Sequence, residues 1–237
     1  MREAALVTGG AKRIGKEICI YLARNNYDIA LNYNTSSVEA RNAANTIESL
    51  GVNCKLFKFD LSKTAGIKKF TEDVFGMFPN CTLLVNNASV FNDHNFNDIT
   101  LKDFDDEFNI NFKSPFFLTQ LFSRRKQSRN IINLLDTRVS RINSSHFVYN
   151  LSKDSLLNFT RMTAKSLSPA IRINAICPGD ILPLEGMDNS YLEKRSKRLP
   201  VKKVGCVNNV ILALEYLLKN EFVTGECLFV DGGEHLL

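Results

Sequence analysis

Apolar positions along the chain fall into two alternating rhythms. Short runs rich in aliphatic and aromatic residues, "EAALVT", "DIALNY", "CKLFKF", "TLLVNN", "NIINLL", "IRINAI" and "ECLFVD", are separated by stretches in which apolar residues recur at helical spacing. Helices are predicted over residues 12–25, 37–50, 62–75, 101–126 with a bend near Pro115, 146–167 and 207–219. Apolar strands alternating with helices predict a parallel sheet covered on both faces, with right-handed crossovers. No repeat, low-complexity tract or linker divides the 237 residues, so a single doubly wound α/β domain is expected.

Composition alters this picture little. Hydrophobic residues make up 44% and charged residues 23%, the balance of a packed globule. No apolar stretch is long enough to span a bilayer and no signal core precedes the first glycines, so a soluble cytoplasmic protein with no membrane partner is expected. Six single cysteines lack the spacing of a zinc site or a disulfide framework and read as small buried apolar residues; no metal is expected. The net charge of +5 is concentrated in two basic runs, Arg124, Arg125, Lys126 with Arg129 and Lys194, Arg195, Lys197, Arg198. Both fall at predicted helix ends or surface loops, where basic residues are solvated, so no nucleic-acid partner is expected.

In a doubly wound sheet the ligand sits beyond the carboxyl ends of the strands. There the chain reads Thr8-Gly9-Gly10-Ala11-Lys12-Arg13-Ile14-Gly15, opening a helix directly after the first strand. Glycines let the backbone approach a pyrophosphate, whose charge meets the amides of the helix N-terminus, so dinucleotide binding is expected. An acidic residue ending the second strand would repel a 2′-phosphate, but the chain has Asn32-Tyr33-Asn34-Thr35-Ser36-Ser37. Arg13 can reach that phosphate and the hydroxyls of Ser36 and Ser37 can bond it, which favours NADPH. If Arg13 is an ordinary surface residue, NAD stays open. Tyr149 and Lys153 share one face of a predicted helix, where an ammonium beside a phenol would favour the phenolate.

Taken together, Thr-Gly-x-x-x-x-x-Gly, Asp60-Leu61, Asn86-Asn87-Ala88, Asn111, Tyr149-x-x-x-Lys153, Pro178-Gly179 and Asp231-Gly232-Gly233 resemble the short-chain dehydrogenase/reductase family over essentially the whole chain. The resemblance implies a seven-stranded Rossmann-type sheet in a homotetramer or dimer. It also implies that Tyr149 is the acid, that Lys153 orients the nicotinamide ribose and lowers the tyrosine pKa, and that Asn111 supports a proton-relay water. Gly9, Lys12, Arg13, Ile14, Gly15, Asn34, Thr35, Ser36, Asp60, Leu61, Asn87, Ala88, Ser89, Tyr149, Lys153, Pro178 and Gly179 would contact the cofactor.

Three departures narrow the reading: Arg13 replaces the family's middle glycine, Ser89 the glycine after Asn-Asn-Ala, and Asp136 the catalytic serine. In combination they resemble pteridine and dihydromonapterin reductases, as do "DTRVSR" and "DGGEHLL". That implies a small pterin substrate held by Arg13, Ser89, Phe91, Asp136 and Tyr149, the pterin sliding between the Phe91 ring and the nicotinamide. A carboxyl partly desolvated at position 136 could supply or relay the proton that a ring imine takes up with hydride. Alternatively Asp136 only caps the end of the fifth strand and Thr137 takes the serine's role, and Phe91 is ordinary packing. The competing functions are a 3-oxoacyl carrier-protein reductase, whose basic surface would dock an acidic protein, and a non-catalytic nucleotide-binding scaffold. Residues 180–204 are expected to form a lid over the substrate.

Overall fold

A computed structural model describes residues 2–183 and 189–237. The seven strands are β1 (Ala4–Val7), β2 (Asp28–Tyr33), β3 (Cys54–Lys58), β4 (Cys81–Asn86), β5 (Asn130–Leu134), β6 (Arg172–Pro178) and β7 (Cys227–Val230). All pair in parallel in the order β3-β2-β1-β4-β5-β6-β7, so chain direction across the sheet reverses between β1 and β4. Side chains alternate between the two faces. Ala5, Val7, Leu83 and Val85 point to one side, where they meet α1 (Arg13–Arg24), α2 (Ser37–Glu48) and α8 (Val207–Lys219). Ala4, Leu6 and Leu84 point to the other, where they meet α3 (Ile67–Met77), α5 (Ser114–Ser123) and α6 (Phe147–Leu167).

Each helix buries one stripe. In α1 the buried residues are Gly15, Ile18, Cys19, Ile20, Leu22 and Ala23, and all but Ile20 follow the three-and-four spacing of an amphipathic helix against a sheet. The predicted long helix over 101–126 is three pieces: α4 (Leu101–Phe108), a π-helical stretch (Asn109–Lys113) and α5. The irregularity therefore lies ahead of Pro115, which sits in the first turn of α5 and has no N–H to donate to the turn before it. The predicted 62–75 helix starts later, as a 3-10 turn (Thr64–Gly66) running into α3. Within the expected lid stretch, α7 (Asn189–Ser196) is helical, while its residues 184–188 lie outside those described.

Two readings need correction. The basic runs are not merely solvated: Arg125 donates to the Pro79 carbonyl at 2.7 Å and covers the Phe75 ring, and Arg195 forms ion pairs with Asp180 and Glu234. A guanidinium offers a planar fork of donors, which suits it to tying segments together. Cys206 is exposed, unlike the other five cysteines, because it stands at the N-cap of α8 rather than on a core face. Among the described residues no helix is long and apolar enough to cross a membrane.

Candidate active site

The loops after β1 and β4 meet where the strand order reverses, and hydrogen bonds lock them together. The backbone N–H groups of Asn87 and Ala88 donate to Thr8 Oγ1 at 2.9 and 3.0 Å, and the Asn87 amide donates to the carbonyls of Thr8 and Gly9. Asn87 is thus a strut of the loop, its Nδ2 committed to protein. Gly9 has φ +62°, and a Cβ on Gly15 would lie 2.3 Å from the Gly9 carbonyl oxygen and 2.5 Å from Asn87 Nδ2. Only glycine lets α1 begin this close to the turn, so its first-turn amides face the cavity. Asn32, at the end of β2, supports the turn from the other side: its Nδ2 donates to the carbonyls of Phe57 and Phe59, and its carbonyl accepts from Gly10 N–H at 3.0 Å. Sequence reasoning noted the segment but not this residue. A polar side chain closing an otherwise apolar strand was the available signal.

A cavity of about 560 Å³ runs from this turn across the sheet edge. Every site residue expected from the sequence lines it except Asn111 and Ser37, and Asn32, Arg138, Asp180 and Tyr191 line it as well. Asn34, Thr35 and Ser36 form the wall beyond β2, with no carboxylate among them. The turn, the helix start and this uncharged wall fit a dinucleotide carrying an extra phosphate. Arg13 has φ 54°, a left-handed conformation that accounts for the glycine usual at this position. Its guanidinium bonds the Pro183 carbonyl at 3.0 Å, so it spans toward the loop after β6 instead of reaching the end of β2.

The residues expected to be catalytic are brought together by β5, the turn after it and α6. The phenol of Tyr149 donates to Asp136 Oδ2 at 2.8 Å, and Asp136 Oδ1 accepts the backbone N–H of Arg138 at 2.8 Å. Asp136 therefore caps the turn after β5 and also faces the tyrosine, merging two roles the sequence offered as alternatives. Thr137 turns away: its hydroxyl donates to Asp231 Oδ2 at 2.5 Å, in the buried base of the C-terminal turn. Lys153 Nζ donates to the Leu134 carbonyl at 2.9 Å and stands 5.6 Å from the centre of the Tyr149 ring.

Burial, then the charge of Asp136 and its hydrogen bond, push the Tyr149 phenol well above its ordinary value, so it is held as a proton donor rather than a phenolate. Burial pushes Lys153 down to about 8, against the pull of Asp136 and other anions. The Arg138 guanidinium acts on the phenol in the opposite direction and favours the phenolate.

Asn111 lies behind the cavity in the π stretch. Its side chain accepts from Val90 N–H at 2.9 Å and Ser89 Oγ at 3.0 Å and donates to the Val90 carbonyl at 2.9 Å, so it shapes the loop carrying Ser89 and Phe91. Glu107, one turn earlier and buried, accepts the N–H of Asn92 at 3.2 Å, and burial raises its carboxyl pKa. Phe91 meets Tyr149 edge-on at 4.7 Å, while His146 stacks on it at 4.0 Å. One face of Phe91 is thus already covered in this structure, which narrows the space expected for a pterin against that ring. Signal for His146 was scant, because a left-handed histidine ahead of a helix is set by tertiary packing.

The family model for short chain dehydrogenases matches residues 3–194, and the chain belongs to that family of oxidoreductases. Among solved structures, FolM alternative dihydrofolate reductase 1 from Brucella canis, complexed with NADP, is 32% identical with a TM-score of 0.93, over 99% of this chain and 94% of that one. The 3-oxoacyl-[acyl-carrier-protein] reductase FabG of Staphylococcus epidermidis is 27% identical over 244 residues, covering 100% of both chains. The L-xylulose reductase of Caenorhabditis elegans is 32% identical over 243 residues, covering 96% of this chain and 94% of its own.

Proposed function

We propose that this oxidoreductase is a cytoplasmic pterin reductase that uses NADPH to reduce a 7,8-dihydropterin, of the dihydromonapterin, dihydrobiopterin or dihydrofolate type, to the tetrahydro form. The observation that carries this reading is the 2.8 Å bond between the Tyr149 phenol and Asp136 at the position where the family places a serine. A serine hydroxyl suits a substrate carbonyl oxygen, whereas a carboxyl suits a ring imine that must gain a proton. The Brucella canis protein, named as an alternative dihydrofolate reductase, supports the same substrate class.

When bound, NADPH supplies hydride. The turn from Gly9 to Gly15 and the wall of Asn34, Thr35 and Ser36 would hold it, with Lys153 beside its nicotinamide ribose. Tyr149 donates the proton to the imine nitrogen. Asp136, whose side chain keeps 23% of its surface in solvent, accepts a proton from water and returns it to the phenol oxygen. Ser89 and Phe91 border the substrate, and α7 with Tyr191 lies over it as part of the lid.

The 3-oxoacyl reductase reading keeps the support of FabG relatives matched over their whole length. Following NADPH oxidation with dihydromonapterin, dihydrobiopterin, dihydrofolate and an acetoacetyl thioester separates the two. Turnover of a pterin is expected; turnover of the thioester alone refutes the pterin reading.

We also expect a homo-oligomer. Half-exposed aromatic rings run from Phe104 through Phe108, Phe112 and Phe159 to Phe116, with Leu101, Leu151 and Met162 exposed on the same helices, a stripe that a second copy would cover.

A further inference from the structure

Arg138 donates its backbone N–H to Asp136 and its charge acts on the Tyr149 phenol, but its side chain also lines the cavity and is only 22% exposed. Its backbone is rigidly placed. Asp136 caps its N–H, Ser140 Oγ donates to the Thr137 carbonyl at 2.8 Å, and Thr137 is tied to Asp231. The guanidinium, by contrast, makes no hydrogen bond to any described residue. Its neighbours are Asp136 Oδ1, 3.9 Å from Nε, and the Phe91 ring, whose centre lies 5.2 Å away. An arginine carries five N–H donors and keeps its charge at any working pH. A charged donor group that lines the cavity and makes no hydrogen bond to a described residue is available to a ligand there.

We propose that Arg138 is a substrate-binding residue whose guanidinium donates to the ring carbonyl oxygen neighbouring the imine of a dihydropterin, selecting 4-oxo over 4-amino pteridines. This deepens the pterin reading and rests on it. In a 7,8-dihydropterin the imine nitrogen and the 4-oxo oxygen lie side by side on one edge of the bicycle. The nitrogen needs a proton and the oxygen accepts a hydrogen bond. The cavity wall offers the matching pair in the same order, the Asp136–Tyr149 donor and, beside Asp136, the unused guanidinium. A 4-amino group would turn its own N–H donors toward a cation, and a site built to bond one partner rejects the analogue that cannot accept.

The test compares the wild-type enzyme with Arg138→Ala and Arg138→Lys. Dihydrobiopterin turnover is measured at saturating NADPH, and binding of a 4-oxo and a 2,4-diamino pteridine is titrated on the NADP⁺-loaded enzyme. Arg138→Ala is expected to raise KM for dihydrobiopterin roughly 10-fold to 100-fold, the scale of a hydrogen bond to a charged donor, with NADPH affinity and melting temperature unchanged. Its preference for the 4-oxo ligand should collapse, and Arg138→Lys should recover part of it. An unchanged KM and preference, or a fall in kcat alone, overturns the role given to Arg138 while leaving the pterin reading intact. A wild-type enzyme that neither binds nor reduces a pterin overturns both.

Discussion

Asp136 concentrates three demands in one side chain. It caps the turn after β5 through Oδ1, accepts the Tyr149 hydrogen bond through Oδ2 and, with 23% of its side chain exposed, has the solvent access that the proposed proton relay needs. Asp136→Ser should keep NADPH binding, measured by fluorescence titration, and lower the rate of pterin reduction by about 10²-fold, the scale of a lost general acid. An unchanged rate would assign the proton to another group. Lys153 sets a pH limit. Its ammonium prevails below about 8, so kcat/KM for the free enzyme should fall as pH rises through that value, while the Tyr149 phenol, pushed upward, does not titrate there. The stability effect has the opposite sign: an unfolded lysine keeps its proton to about 10.4, so between about 8 and 10 the unfolded chain binds more protons and this group's contribution to folding stability rises with pH. A pH–rate profile and pH-dependent melts of the ligand-free protein check both signs. Gly15→Ala places a methyl against the Gly9 carbonyl, and overpacking of that kind costs about 1–3 kcal/mol. A lower melting temperature and weaker NADPH binding are the expected result. The glycines and the Tyr-x-x-x-Lys pair were legible in the sequence because the turn follows the first strand, the pair shares one helix face, and both stand in order with the other motifs. That Lys153 would bond the Leu134 carbonyl was not, since nothing local fixes where a four-carbon side chain ends.

Elements come together through polar side chains that periodicity does not register. The strand and helix pattern was readable because burial on both faces of a parallel sheet enforces apolar strands and one-sided helices. The π stretch over 109–113 was not, because it arises where α4 must present Glu107 and Asn111 to the loop after β4. α7 is another such element. Its Arg195 joins Asp180, beside the cavity, to the buried carboxyl of Glu234, which Arg141 also contacts at 3.0 Å. Arg195→Ala should loosen α7, seen as faster proteolysis within residues 189–204 and a raised KM for the pterin. Equal cleavage rates in both proteins would show that the contact does not hold the lid.

Across the whole molecule, the outer face of α4, α5 and α6 bears on assembly. Leu151 and Met162 are 53% and 70% exposed and lie three helical turns apart on one side of α6. Light scattering during gel filtration should give a dimer or tetramer for the wild-type protein and a monomer for the double substitution Leu151→Glu with Met162→Glu. A wild-type monomer would refute the oligomer. The sequence alone determined the sheet class, the dinucleotide turn and the presence of an acid where the family has an alcohol, since each depends on residue type at a fixed spacing along the chain. Only the tertiary structure decided that Asp136 and Tyr149 share a hydrogen bond, that Thr137 faces Asp231, that His146 lies on Phe91 and that the Arg138 guanidinium stands between Asp136 and the Phe91 ring. Those relations join residues brought together by packing of the sheet edge, and the direction of a side chain there is set by competition among neighbours that the linear order does not contain.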